Sequence, residues 1–155
     1  MKRLLTILAL LIAVSAFGDS GGVTARLEAV STEGTHTNLM FLCSVTLDNQ
    51  TGATLTATNL FTMSPGLALR VTDAGGHALP KMYAWPMKFW TWKFQVPPGS
   101  QSFQVRYLGR FEDSRPVGLS LPADTKKVRL QMVGTLSGSG YTNRLTSNVV
   151  EIDVP

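Results

Sequence analysis

The sequence predicts an all-β protein, one antiparallel β-sandwich of roughly seven to nine strands that follows an N-terminal signal-peptide helix. Three observations predict this fold. Apolar and polar residues alternate with period two along most of the chain. Clusters of Gly, Pro, Asn and Asp interrupt the alternation about every 8–12 residues. Helical spacing of apolar residues is almost absent after the first sixteen residues.

The first residues have the order of a secretory signal peptide. Lys2 and Arg3 precede the apolar run Leu4–Val14, and small residues follow it. That run is shorter than the ~20 residues that a membrane-spanning helix needs. We expect cleavage before Phe17 or, alternatively, before Asp19, and export of a soluble protein to the periplasm or the medium without stable membrane anchoring. An uncleaved N-terminal anchor is the competing interpretation.

Residues 1–16 are therefore predicted to be the signal peptide, residues 17–22 a flexible spacer, and residues 23–155 one folded domain. A mature chain of this length suits a single domain with its own core. The only cysteine, Cys43, excludes an intrachain disulfide, so packing alone must hold the exported domain together. We expect a monomer.

Each strand of the first half is predicted from the apolar residues of one face, and turn residues such as Asp73-Ala74-Gly75-Gly76 separate the strands. The faces, in chain order, are Val23, Ala25, Leu27 and Ala29; Leu39, Phe41, Cys43, Val45 and Leu47; Leu55, Ala57 and Phe61 in segment 54–62; and Leu67, Leu69 and Val71.

The second half continues the series, with turns at Pro97-Pro98-Gly99-Ser100 and Gly138-Ser139-Gly140. The predicted strands are residues 87–96; Phe103, Val105 and Tyr107; a short edge strand over 116–121; Val128, Leu130, Met132 and Leu136; and residues 145–154 with Val150, Ile152 and Val154 on one face. A closed barrel of strands is the main alternative to the sandwich.

Some of these turns occur in an order that resembles the immunoglobulin-like domains of bacterial exported proteins, including those similar to the BsuPI proteinase-inhibitor family. The resemblance rests on Asn49-Gln50-Thr51-Gly52, on Leu69–Gly76 and on Val96–Ser100, and covers roughly residues 39–108. It implies an immunoglobulin-like sandwich. That inhibitor family is known from an intracellular setting, whereas this chain carries an export signal. No reactive-site motif matches, so no inhibitory residue is carried over.

Two apparent nucleophiles do not predict catalysis. Gly18-Asp19-Ser20-Gly21-Gly22 spells the motif around the serine of trypsin-like proteases, but only the signal peptide precedes it, and it lacks the strand and helix of a nucleophile elbow. Cys43 lies at the centre of an apolar strand and is interpreted as a small buried hydrophobe. We expect no catalytic residue and no enzyme activity.

The charge pattern excludes further classes of function. Removing Lys2 and Arg3 from fourteen basic residues leaves twelve against ten acidic ones, a mature net charge of +2. The two basic groups, Lys126-Lys127-Arg129 and the looser set of Arg106, Arg110 and Arg115, are interpreted as solvated strand edges and turns. No nucleic-acid groove, metal site or cofactor site is predicted. Asn49-Gln50-Thr51 fits a glycosylation sequon, whose use is not expected.

The one local concentration that suggests a function is the aromatic segment, residues 83–92, which holds all three tryptophans. Tyr83, Trp85, Trp90 and Trp92 are the candidate partner-binding residues, because aromatic side chains dominate interface hot spots. The alternative places Trp90 and Trp92 in the core between the sheets. Trp85 precedes Pro86, which interrupts a strand ladder, so it is the least suited to the core.

The sequence therefore favours a non-catalytic binding or structural module of the bacterial cell envelope whose partner is a protein or a glycan. An inhibitor of an exported proteinase or other hydrolase is the alternative.

Overall fold

A computed structural model describes residues 22–58, 67–85, 93–113, 115–138 and 141–155. These residues contain strands and turns and no helix, and hence no helix long and apolar enough to cross a membrane. The strands are β1 (Val23–Glu33), β2 (Met40–Asn49), β3 (Leu55–Thr58), β4 (Leu67–Asp73), β5 (Tyr83–Trp85), β6 (Lys93–Val96), β7 (Gly99–Leu108), β8 (Arg110–Glu112), β9 (Arg115–Val117), β10 (Lys127–Gly138) and β11 (Tyr141–Asp153).

The prediction of an all-β fold is confirmed, and nine of the strands form one curled, mixed sheet. Its order is β5-β7-β2-β1-β11-β10-β3-β6, and β4 also pairs with β10. The remaining two strands, β8 and β9, form a separate two-stranded hairpin. The residues predicted to form the signal peptide, and those of the predicted spacer up to residue 21 with Ser20 among them, lie outside the described residues.

One pair of neighbours corrects the expectation of a purely antiparallel sheet. β1 and β11 run parallel and are paired at Ala25 and Ser147. β10 and β11 follow one another along the chain and are antiparallel neighbours. β1 and β11 are far apart in the chain, so no short connection determines the relative direction of these two strands.

The strands β3 and β4 follow one another along the same edge of β10. Thr56 pairs with Ser137 of β10, and Leu67 pairs with Gly134, close by on the same strand. On the outer side of β4, Met82 and Leu69 exchange two backbone hydrogen bonds of 3.0 and 2.8 Å. The two strands thus line one edge of β10, β3 at Ser137 and β4 from Gly134 to Val128.

The core is made by the alternating apolar faces that the sequence predicts. The predicted face of the second strand is buried throughout, with Leu39 directly before β2 and its other four residues in β2, and so are the four residues of β10 that were predicted to share a face. Burial of each such side chain contributes about 1.5–3 kcal/mol relative to exposure. The core of the described residues comprises chiefly Leu27, Leu39, Phe41, Cys43, Val45, Leu47, Leu69, Val71, Met82, Tyr107, Val128, Leu130, Met132 and Leu136.

A β-bulge in β11 explains why its apolar face changes parity. Two residues, Ser147 and Asn148, stand opposite Met132, because the register shifts between Gln131–Val149 and Val133–Thr146. Before the bulge the odd position Leu145 is buried, and after it the even positions, such as Val150, pack against the core. The predicted face of Val150, Ile152 and Val154 is confirmed as the half-buried part of the strand.

The predicted hairpin turn after β4 is confirmed. The Gly76 N–H donates to the Asp73 carbonyl at 3.1 Å, and the Asp73 N–H donates to the His77 carbonyl at 3.0 Å. Gly76 has a φ of 84°, a left-handed conformation that glycine adopts at little cost.

The structure differs from the predicted strands in two places. Residues 83–85, which are not part of any predicted strand, form β5 on the edge of β7. Of the predicted edge strand over 116–121, residues 116–117 belong to β9 of a local hairpin with β8, and Leu119 is bridged to Leu39, the residue before β2. The partner of β5 is distant in sequence, which no local pattern reveals. Of predicted strands 54–62 and 87–96, residues 55–58 and 93–96 are strands, and 59–62 and 87–92 lie outside the described residues.

Candidate functional site

Two of the four candidate binding residues lie on a described strand. Tyr83 and Trp85 are the first and last residues of β5, which pairs antiparallel with the end of β7. Trp90 and Trp92 lie outside the described residues, so their proposed roles remain predictions.

The register of β5 pairs its three residues with the end of β7. Ala84 pairs with Tyr107, whose side chain is fully buried in the core. Tyr83 pairs with Leu108, which is buried as well. Trp85 pairs with Arg106, so its position belongs to the cross-strand row of that arginine.

An ion pair crosses β2. Arg106 on β7 and Leu42 on β2 are directly opposite one another, and Leu42 is in turn opposite Ser31 on β1. The Arg106 Nη2 donates to Glu33 Oε1 on β1 at 3.0 Å, and both side chains are about one-third exposed. Such a half-exposed pair adds about 1 kcal/mol or less to stability, and it directs the Arg106 side chain across β2 towards β1.

Both ends of the aromatic segment are fastened to neighbouring strands. The first three residues of the segment form β5, directly after Met82, which is hydrogen-bonded to Leu69. The residues that follow the segment form β6, where Lys93 pairs with Thr58 and Val96 pairs with Leu55. The sheet therefore supplies a fixed departure point and a fixed return point for residues 86–92.

A buried asparagine secures the returning strand. The Asn49 Nδ2 donates to the carbonyls of Val96 and Ala53, both at 2.8 Å, while its Oδ1 accepts from the N–H and the hydroxyl of Thr51 at 3.0 and 2.7 Å. Asn49 is 1% exposed. Its amide nitrogen is thus committed to two internal bonds, which leaves the sequon Asn49-Gln50-Thr51 a structural turn.

Cys43 is buried, which confirms its interpretation as a small core residue. Desolvation raises the pKa of its thiol from 9.0 to about 12. Since the thiolate is the nucleophilic form of cysteine, this side chain is almost entirely protonated at neutral pH. The environment of Cys43 is the opposite of the one that activates a catalytic thiol.

Tyr107 is the only buried tyrosine among the described core residues, and its hydroxyl has no hydrogen-bond partner there. Burial raises the pKa of the phenol well above its ordinary value, and the nearby Cys43 adds to the effect. The hydroxyl is therefore a neutral polar atom inside an apolar core. On β5, the residue paired with Tyr107 is Ala84.

The two histidines serve turns and loops. The His36 Nε2 is 3.0 Å from the Thr125 carbonyl. The His77 Nδ1 lies 2.9 Å from the Asp73 Oδ2, and this hydrogen bond lowers the pKa of the aspartate. Within the described ranges, no three His, Cys, Asp or Glu side chains are grouped so that they could hold a metal ion.

Four of the predicted basic-group residues are solvent-facing and paired with acids. Lys127 is 3.0 Å and Arg129 is 3.2 Å from the carboxylate of Glu151, across the β10–β11 ladder. These contacts lower the pKa of Glu151 and raise that of Lys127. Arg106 and Arg110 pair with glutamates in the same way. These four residues therefore lie on solvent-exposed or half-exposed strand surface.

Sequence reasoning missed two features of this part of the molecule. The Arg106–Glu33 pair joins residues 73 positions apart, and the β8–β9 hairpin borders two surface depressions. The ion pair has no local signal. For the hairpin, the two glycines that flank it, Gly109 and Gly118, could have suggested close backbone contacts at that point.

Comparisons with known proteins identify no family. No family model matches the chain, and no curated protein does. Among solved structures, the chain is similar to one whose title reads X-ray structure of Northeast Structural Genomics Consortium target SoR45. The two are 13% identical, the match covers 86% of each chain, and the TM-score is 0.44.

Proposed function

We propose that this protein is an exported, non-catalytic binding module of the cell envelope, and that the aromatic segment is its recognition element. The observation that carries the proposal is the anchoring of that segment. Residues 86–92 lie in the chain between β5, which is hydrogen-bonded to the long strand β7, and β6, which is hydrogen-bonded along its whole length to β3. Recognition residues are commonly placed on connecting segments held by a rigid scaffold.

The strand order supports an immunoglobulin-like sandwich as the scaffold. The order can be divided at the single parallel pair into β5-β7-β2-β1 and β11-β10-β3-β6. The first group then holds the first two strands of the chain with two later ones, as strands A, B, E and D do in an immunoglobulin constant-type domain. In this arrangement the aromatic segment connects the two sheets.

The chemistry of the described residues favours binding over catalysis. Cys43, the one thiol, is desolvated and protonated, and both histidines are engaged by turn and loop atoms. The row of Trp85 and Arg106 combines the residue types that most often act as hot spots in protein interfaces. The partner is a protein or a glycan, and the aromatic residues suit either.

The substitution Trp85→Ala tests the proposal. If Trp85 anchors a partner, the variant loses about 2 kcal/mol or more of binding free energy, roughly a thirtyfold weaker Kd, with little change in Tm. The measurements are retention on envelope extract and on insoluble polysaccharides, together with thermal unfolding. Trp85→Phe, which keeps an aromatic ring, is the matched control and should retain most of the binding.

A different outcome would assign the segment to the fold. If Trp85→Ala keeps every partner of the wild type and unfolds at a much lower temperature, the aromatic segment is structural and recognition lies elsewhere. If the captured partner is an exported hydrolase and its activity falls on binding, the module is an inhibitor.

A further inference from the structure

A small cleft lies at the end of the sheet where the loop before β2 meets the β8–β9 hairpin. Its volume is about 190 Å³. It is lined by Thr37, Pro80, Gly109, Arg110, Val117, Gly118, Leu119 and Ser120.

The walls of this cleft are fixed by main-chain contacts. Leu39 and Leu119 exchange two backbone hydrogen bonds of 2.9 and 2.7 Å, and the Gly109 N–H donates to the Val117 carbonyl at 2.9 Å. The Gly118 N–H donates to the Asn38 side chain. A Cβ at Gly118 would lie 2.5 Å from the Leu39 carbonyl oxygen, so only glycine permits this approach. The cleft is therefore preformed.

The lining combines one cation with apolar walls and hydroxyls. Pro80, Val117 and Leu119 supply the apolar surface, and Thr37 and Ser120 supply hydroxyl groups. The Arg110 side chain is 69% exposed, and its Nη2 is 3.4 Å from the Glu112 carboxylate, a long contact between two exposed groups. A planar guanidinium in this setting can donate hydrogen bonds to a second, better aligned carboxylate.

A neighbouring depression is less suited to an anion. It has a volume of about 430 Å³ and shares Val117 with the cleft, but Glu112 and Asp113 line it together with Arg115. Two carboxylates against one guanidinium repel a further negative charge.

We propose that the cleft binds the C-terminal residue of a peptide chain, with its carboxylate on Arg110 and its small apolar side chain against Pro80, Val117 and Leu119. The volume accommodates one side chain of the size of valine or proline with its carboxylate, and not a longer segment. Capture of a terminal carboxylate is an established mode of peptide recognition. This site is separate from the aromatic segment and goes beyond the proposed function.

The position of Glu112 makes the proposal testable in both directions. In the unliganded protein, the Glu112 carboxylate accepts a hydrogen bond from the Arg110 guanidinium, so it competes with the carboxylate of the ligand for Arg110. Neutralising Glu112 should therefore strengthen peptide binding, whereas a merely structural role of the Arg110–Glu112 pair gives no gain.

The experiment is a titration of the full chain with N-acetyl-Ala-Val in its free-acid form and as the C-terminal amide, followed by NMR shifts. We expect saturable shifts at residues 109–110 and 117–120 with the acid and none with the amide. Arg110→Gln should weaken binding of the acid about tenfold or more, and Glu112→Gln should tighten it severalfold. Arg115→Gln, a matched charge change at the neighbouring depression, should leave it unchanged.

Equal binding of the acid and the amide would overturn the proposal, as would the absence of saturable shifts or a loss of affinity in Glu112→Gln. The result is independent of the aromatic segment. Trp85→Ala should leave peptide binding unchanged, and Arg110→Gln should leave retention on envelope extract unchanged.

Discussion

At the scale of single residues, the buried polar side chains of this protein fall into two kinds. Asn49 and Ser147 are buried and hydrogen-bonded: Asn49 closes the turn after β2, and the Ser147 hydroxyl accepts from the Met132 N–H at 2.9 Å and donates to the Asn148 carbonyl at 2.7 Å. Tyr107 is equally buried, yet its hydroxyl has no partner among the described residues. A buried polar atom without a partner costs about 1–3 kcal/mol.

We therefore expect Tyr107→Phe to keep or raise the stability of the fold, by up to about 1–3 kcal/mol, because it removes the unpaired hydroxyl and keeps the ring. Urea-induced unfolding measures the change. Phe41→Tyr is the matched control, since Phe41 is fully buried directly opposite Tyr107 and would gain such a hydroxyl. A clear loss of stability in Tyr107→Phe would mean that the hydroxyl is hydrogen-bonded in solution.

At the scale of elements, the contact between the first and last strands depends on one side chain. The ladder of β1 and β11 contains the single pair Ala25–Ser147. Next to this pair, the Asn148 side chain makes the two hydrogen bonds that a backbone partner would make with Leu27. Its Oδ1 accepts from the Leu27 N–H at 2.8 Å, and its Nδ2 donates to the Leu27 carbonyl at 3.0 Å. The bulge in β11 places Asn148 at this point.

The substitution Asn148→Ala should lower stability by about 1–3 kcal/mol. It leaves the N–H and the carbonyl of Leu27, two part-buried backbone groups, without their partners. Thermal unfolding gives the loss, and hydrogen exchange should show faster exchange of the Leu27 amide than in the wild type. Gln104→Ala removes an exposed amide from β7 and serves as the control with no expected effect. An unchanged Tm in Asn148→Ala would contradict the role of this side chain.

At the scale of the whole molecule, stability comes from packing in a core that contains two ionisable groups, Cys43 and Tyr107. The folded state holds the Cys43 proton more tightly than the unfolded state, because its pKa rises from 9.0 to about 12. The resulting stability is complete below pH 9 and is lost as the pH rises from 9 towards 12. Tyr107 contributes with the same sign above its ordinary pKa of 10.0.

Between pH 9 and pH 10, the free energy of unfolding should therefore fall by about 1 kcal/mol through Cys43 alone, because the unfolded thiol is half ionised at pH 9. Urea-induced unfolding at pH 8, 9 and 10 measures the slope. Cys43→Ala is less stable at pH 8 because of the cavity, but it should show little of this pH dependence. The same slope in the wild type and in Cys43→Ala would show that other groups cause the loss.

The candidate site was predictable only in part. Local patterns identified the aromatic segment and the proline after Trp85, since these are properties of consecutive residues. The pairing of Trp85 with Arg106, the Glu33 contact that holds that arginine, and the cleft beside Arg110 could not be predicted. Each joins segments distant in the chain, and the sequence carries no record of the register between them.

The sequence by itself determined the strand class and much of the core, because alternation with period two fixes which side chains of a strand share a face. The buried faces of β2, β4 and β10 follow from it residue by residue. Only the tertiary structure decided which strands are neighbours, that the first and last run parallel, and that a bulge at Ser147 and Asn148 changes the face of β11. Those features depend on hydrogen bonds between distant segments, which form only when the curl of the sheet brings the segments together.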